Sequence, residues 1–227
     1  MTNPMELTGK KILVVGDSFG LDVAIIEKIK LLGGQVCKYN NIGADTLESD
    51  IADLVQNTGP FNGFVFGVVH SDFRPLQFIT SDIMGKIMND NFALFIEIMR
   101  TLKKYKGMAN GASVVAMSSI SSIRAMKTKT IFCSAKAALD AAVRCLAVEL
   151  GCKGIRINSI QKGGVDVDLE KSHIQTITEI NNNATEHKQI LGLTKATEVA
   201  NLVAFLLSDA APTITGTSIV IDGGYTL

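Results

Sequence analysis

Lys11-Ile12-Leu13-Val14-Val15-Gly16-Asp17-Ser18-Phe19-Gly20-Leu21-Asp22 is the stretch that decides the fold. Its first five residues are a short β-rich run that ends at Gly16. From Leu21 onward the apolar residues Leu21, Ile25, Ile29 and Leu32 recur at helical spacing, and Gly33-Gly34 stops the pattern. A tight glycine turn between a strand and a helix lets main-chain N–H groups approach a phosphate, and the helix N-terminus adds partial positive charge. Two glycines at this spacing also occur in plain turns, so the stretch alone admits both readings.

Outward from it, apolar runs alternate with helical patterns to the end of the chain. Gln35–Tyr39 reads as a second strand and Leu47–Val55 as a short helix. Gly63–Val69 is a continuous apolar strand, buried on both faces. Ser81–Lys106 predicts a long helix capped by Ser81 or Thr80. Ser113–Met117 is a strand, Ile131–Leu150 an Ala-rich helix apolar on most sides, and Ile155–Ile160 another strand. After the mixed, polar stretch Gln161–Leu193 come a helix at Ala196–Leu207 and a last strand at Thr217–Ile221. This alternation predicts a single α/β domain over residues 1–227, a Rossmann-type doubly wound parallel sheet with helices on both faces. Ligands in such sheets bind at the carboxyl ends of the strands, near the switch in strand order.

Composition narrows the function classes. Apolar residues make up 47% of the 227, enough for a sizeable core. Lys+Arg and Asp+Glu are equal at 22 each, so no electrostatic footprint for nucleic acid exists. The N-terminus is short and polar, and no run approaches the length a membrane helix needs. Cys37, Cys133, Cys145 and Cys152 form no C-x-x-C pair, which suits reduced thiols in a cytoplasmic protein. His173 and His187 lack ligand spacing, so no metal site is expected.

Several motifs in order resemble the short-chain dehydrogenase/reductase (SDR) family. The glycine turn is similar to T-G-x-x-x-G-x-G, with Gly16 and Gly20 on the first two glycines and Asp22 on the third. Gly111–Ser119 looks like the strand that leads to the family's catalytic serine, which falls on Ser119. Phe132-Cys133-Ser134-Ala135-Lys136-Ala137-Ala138-Leu139 resembles Y-S-A-S-K-A-A-L and places the active-site lysine on Lys136. Asn91 resembles the mid-helix asparagine that holds a proton-relay water. Gly154–Ile160 matches G-I-R-V-N-x-I/V, and the closing Leu206–Asp209, Ile214–Thr217 and Ile221–Gly224 match L-x-S-D, I-T-G and V-D-G-G. The resemblance covers nearly the whole chain. It implies NAD(P)-dependent carbonyl/alcohol chemistry, in which the tyrosine moves the proton, the lysine lowers its pKa and holds the nicotinamide ribose, and the serine positions the substrate oxygen. Cofactor contacts are then expected from Gly16, Ser18, Phe19, Gly20, Leu21, Asn40, Lys136 and Val165, to NAD or NADP.

The departures sit at the chemistry. Phe132 stands where the tyrosine should be and has no proton to give; a positioned general acid is worth ~10²–10⁴-fold in rate. Thr130 and Ser134 are poor substitutes, and position 129, which could carry an alternative tyrosine, is Lys129. N-N-A-G reads Phe66-Gly67-Val68-Val69, and P-G-x-V-x-T reads Lys162-Gly163-Gly164-Val165-Asp166-Val167. Only 23 residues separate Tyr39 from Gly63, too few for the further helix and strand that the family fits there. Asp22 either brings a negative charge to the pyrophosphate or faces solvent as a first-turn acid. Ser119, Lys136 and Asn91 remain in register, though the first could cap a strand end, the second could be solvated and the third could bond a neighbouring carbonyl. His70, after the fourth-strand motif, is a lone histidine at the mouth of the cleft. The cofactor preference is undetermined: no acid follows the second strand, and Lys38 alone is weak support for a 2′-phosphate.

The expectation is an atypical SDR-like oxidoreductase of impaired activity and weak dinucleotide affinity. The alternatives are a catalytically silent SDR-fold subunit or a non-redox ligand-binding protein. Its substrate is a small molecule of unknown identity, with Gly164–Leu193 as the lid. Helix Ile131–Leu150 and strand Thr217–Ile221 point to a homodimer or homotetramer, or a hetero-oligomer with an active relative.

Overall fold

The computed structural model describes residues 3–16, 20–42, 45–167 and 189–227. In chain order it contains β1 (Lys11–Val15), α1 (Leu21–Leu31), β2 (Gln35–Tyr39), α2 (Leu47–Thr58) and β3 (Phe61–Phe66). Next come α3 (Ser81–Met88), a π-helical turn (Asn89–Ala93), α4 (Leu94–Lys104), β4 (Met108–Ser119), α5 (Thr130–Leu150) and β5 (Arg156–Lys162). The chain closes with β6 (Val165–Asp166), β7 (Thr194–Lys195), α6 (Ala196–Leu207) and β8 (Ser218–Ile221). The main sheet is six-stranded and parallel, in the order β2-β1-β3-β4-β5-β8, and β6 pairs with β7 apart from it. This is the expected Rossmann-type sheet, with its switch in strand order between β1 and β3. Helix α2 alone links β2 to β3, so β2 is the sheet edge, as the short interval before Gly63 requires.

Strand alternation divides the core. Ile12, Val14 and Val65 face α1 and α6, packing with Ile25, Ile29, Val203 and Leu207. Leu13, Val15, Phe64 and Phe66 face α4 and α5, packing with Phe95, Ile98, Leu139 and Val143. The Phe66 and Phe95 rings lie 5.3 Å apart. The buried face of α5 runs from Phe132 through Leu139 and Val143 to Leu150. Its outer face exposes Ser134, Ala137, Arg144, Cys145 and Val148, so the helix is less uniformly covered than its composition suggests.

Several boundaries differ from the sequence reading for identifiable reasons. β3 ends at Phe66 because its ladder with β1 ends at the Val15–Phe66 pair; Val68 stays buried without belonging to a strand. β5 runs on through Lys162, since a lysine supplies the N–H that the family's proline lacks. The long helix at Ser81–Lys106 is broken at Asn89–Ala93. There the Asn91 side chain donates to the Ile87 carbonyl at 2.9 Å, competing with the ordinary i→i−4 ladder, and the turn widens. Thr80 caps α3 by accepting the Ile83 N–H.

Candidate active site

The carboxyl ends of β3, β4 and β5 and the first turns of α5 converge on one region. Ser119 ends β4, half-buried, and its hydroxyl accepts the Ser121 N–H at 3.2 Å. Phe132, Lys136 and Asp140 follow at intervals of four along the buried face of α5. Lys136 is wholly buried. Its Nζ donates to the Met117 carbonyl at 3.0 Å and the Val68 carbonyl at 3.4 Å, and lies 5.8 Å from the centre of the Phe132 ring. Burial, and then the charge of Lys162, push the Lys136 pKa down to about 7, against the opposing pull of Asp140. The solvated alternative for Lys136 is therefore gone.

Phe132 is buried and meets Phe73 edge-on, with ring centres 5.9 Å apart at 85°. The place the resemblance gives to a phenol hydroxyl is thus part of an apolar contact. Asn91, also wholly buried, clamps the loop after β3: its Nδ2 donates to the His70 carbonyl at 2.7 Å as well as to Ile87, and its Oδ1 accepts the His70 N–H at 3.2 Å. Asn91 therefore does bond neighbouring carbonyls. His70 in turn places Nδ1 2.8 Å from an Asp90 carboxylate oxygen.

Behind these residues lies a buried polar chain that the sequence reading missed. The Asp140 carboxylate accepts the Ser159 hydroxyl at 2.7 Å and the Gln161 amide at 2.8 Å. The same Gln161 amide nitrogen reaches the Ser122 hydroxyl at 2.9 Å, and Ser122 donates to the Ser119 carbonyl at 2.8 Å. Asp140 thereby holds the turn that carries Ser119 while sitting one helical turn beyond Lys136. An acid on the apolar face of a predicted helix was the available signal.

Among the expected cofactor residues, Gly16 follows β1, Gly20 precedes α1 with φ +86°, Leu21 is buried in its first turn, and Val165 is buried in β6. Asn40 is exposed beyond β2. Ser18 and Phe19 lie outside the described residues, as do His173, His187 and most of the expected lid. Asp22 overturns the solvent-facing reading. It does not face solvent but is 3% exposed, with its carboxylate pressed between Gly16 and Gly67: a methyl group added at Gly16 would lie 3.1 Å from both carboxylate oxygens, and one at Gly67 would lie 3.0 Å from Oδ1.

A family model described as Enoyl-(Acyl carrier protein) reductase matches residues 21–226. The chain belongs to this family, within the short-chain dehydrogenases/reductases. It is 27% identical to an L-xylulose reductase of Caenorhabditis elegans over 97% of either chain. It is 30% identical to the NADH-linked enoyl-[acyl-carrier-protein] reductase FabI of Neisseria meningitidis, over 81% of this chain and 71% of that one. Among solved structures, the FabI–NADH complex of Alistipes finegoldii has TM-score 0.85 at 20% identity, covering 97% of this chain and 89% of that one. A Serratia marcescens short-chain dehydrogenase/reductase has TM-score 0.84 at 20% identity, covering 99% of this chain and all of that one. These likenesses establish the fold. Among the described residues, no helix is long and apolar enough to cross a membrane.

A family dinucleotide would lay its pyrophosphate against the glycine turn. Here a methyl group added at Gly20 would lie 3.3 Å from Val167 Cγ1, so the residue after β6 stands beside this end of the turn. Glycine at positions 16 and 20, with φ +86° at Gly20, keeps the described part of the turn free of side chains, as a phosphate cradle requires.

Proposed function

We propose that this SDR-family protein is impaired in NAD(P)-dependent carbonyl and alcohol chemistry to the point of silence, and that it acts as a catalytically silent SDR-fold subunit in the cytoplasm. The observation that carries the reading is the Phe132–Phe73 contact. The family's proton donor is replaced by a buried ring that packs against another ring, with Lys136 behind it engaged by two main-chain carbonyls. What this chain's residues still do is positional: Asp140, Gln161 and Ser122 hold the Ser119 turn, and Asn91 holds the loop that bears His70. The test is oxidation of NADH and NADPH by the purified protein against a panel of ketones and enoyl thioesters. The expected rate equals the blank; robust turnover with any member refutes the proposal.

A second reading, an atypical oxidoreductase with another proton donor, is favoured by the His70–Asp90 contact. A carboxylate 2.8 Å from Nδ1 fixes the imidazole and is a known way to arm it for proton transfer. Turnover that His70→Gln abolishes, at unchanged thermal stability, would establish it.

A further inference from the structure

The amino ends of β1, β2 and β3 lie at the opposite end of the parallel sheet from Ser119, and a surface sits there that the candidate site does not use. β2 is the sheet edge, because α2 alone fills the interval that in the family holds a further strand. Its ladder shows which main-chain groups that edge leaves open. The Gln35 N–H donates to the Lys10 carbonyl at 2.9 Å, and the register runs on through Cys37–Leu13 and Tyr39–Val15. Successive residues of a strand turn their N–H and C=O to opposite sides, so Val36 and Lys38 turn theirs outward. Among the described residues nothing pairs with those groups. An edge of this kind accepts an added strand.

A hollow of about 300 Å³ lies beside the same edge, lined by Gln35, Val36 and Cys37 of β2, Lys11 of β1, Asn57 of α2 and Phe61 of β3. Alternate side chains of an added strand point to one face, so one of them can enter it. Lys11 is half-buried, and its ammonium uses one of its three N–H groups on the Thr58 carbonyl at the end of α2. Among the described residues no carboxylate forms an ion pair with Lys11, nor with the exposed Lys38. Open main chain calls for an extended segment, and the two lysines call for acid on it. A second copy does not supply this through its own β2: Gln35–Tyr39 carries no acid, and a two-fold pair would bring Lys38 near its own copy.

We infer that the outer edge of β2, with the hollow beside it, is a docking site for an extended acidic segment of a partner protein, which adds a strand to the sheet and sets a carboxylate against Lys11. The main chain of Val36 and Lys38 gives affinity, and the hollow gives selection. This edge supplies the proposed subunit role with a surface and a partner chemistry, and does not rest on silence at Phe132. Oxidation of NADH or NADPH reports on that position, and amide exchange at β2 reports on this edge.

The test is nuclear magnetic resonance on the full chain. In the free protein the Val36 and Lys38 amides should exchange with solvent at least ~10-fold faster than those of Cys37 and Tyr39. The probe is the blocked peptide acetyl-Ser-Thr-Val-Glu-Val-Thr-Ser-amide. Its titration should shift the β2 and Lys11 resonances saturably and slow exchange at Val36 and Lys38. The peptide with lysine in place of glutamate should bind at least ~5-fold more weakly, and Lys11→Met should remove most of that difference between the two peptides. Thermal melting verifies that the variant is folded; should it not be, the comparison of the two peptides on the wild type reads the charge preference alone. Slow exchange at both Val36 and Lys38 in the free protein overturns the inference. So does the absence of saturable shifts at β2 up to ~5 mM peptide, or equal affinity for the two peptides.

Discussion

Lys136→Met should change how the stability of the protein depends on pH. In the wild type, an amine with an ordinary pKa of 10.5 is held at about 7, first by burial and then by Lys162, with Asp140 pulling the other way. The folded pKa lies below the unfolded one, so the unfolded chain binds the extra proton between roughly pH 7 and 10.5. Stability therefore rises with pH across that window, and the full penalty is present below it. At 1.36 kcal/mol per pKa unit the penalty is about 5 kcal/mol at acid pH. Between pH 6 and pH 9 some 2.5 kcal/mol of it is released, roughly half. Methionine has a similar length and no charge, so the variant loses this slope; it also leaves the Met117 and Val68 carbonyls without the ammonium donor, which offsets part of its gain. Urea unfolding of both forms at half-unit steps from pH 6 to 9 gives a difference curve from which titrations common to both forms and independent of Lys136 cancel. A wild-type-minus-variant difference that stays flat within ~0.5 kcal/mol would refute the buried-amine account.

Asp140→Asn should destabilise the protein by about 1–3 kcal/mol in the same unfolding assay, because one end of the new amide turns a donor toward the Ser159 hydroxyl or the Gln161 amide. It should also move the Lys136 titration to lower pH, since the charge that opposes burial is gone. Asn91→Ala should cost about 2–4 kcal/mol and speed hydrogen exchange at the His70 amide, which loses its acceptor. Light scattering should give a dimer or tetramer, as homo-oligomer or with an active relative, and Val148→Glu on the exposed face of α5 should shift it toward monomer; Val148 is 84% exposed in the single chain.

The sequence made the scaffold legible wherever periodicity and punctuation agreed. β1, β2 and the helix at Ala196–Leu207 fall on their expected residues because each is bounded by glycine or by a change of hydrophobic period. The end of β3 was obscured because Val68 and Val69 continue an apolar run that packing requires but pairing does not. The π-helical turn was hidden for a similar reason: the apolar spacing continues across it, and only the Asn91 side chain's choice of partner opens the backbone. At the candidate site, register with the family pointed to Ser119, Phe132, Lys136 and Asn91. It could not give the orientation of Asp22, which depends on a glycine 45 positions further along the chain. Nor could it join Asp140 to Ser119, since that path crosses from α5 through β5 to the turn after β4.

The central claim is that an intact scaffold has lost its proton donor at position 132. It is tested most directly by Phe132→Tyr, comparing NADH and NADPH oxidation with and without the tyrosine on the same ketones and enoyl thioesters. The account predicts that the tyrosine raises the rate by ~10²–10⁴-fold once nucleotide is bound, with Lys136 within reach of the new hydroxyl. A variant that binds nucleotide with the tyrosine in place, yet turns over no faster than the phenylalanine form, would contradict it.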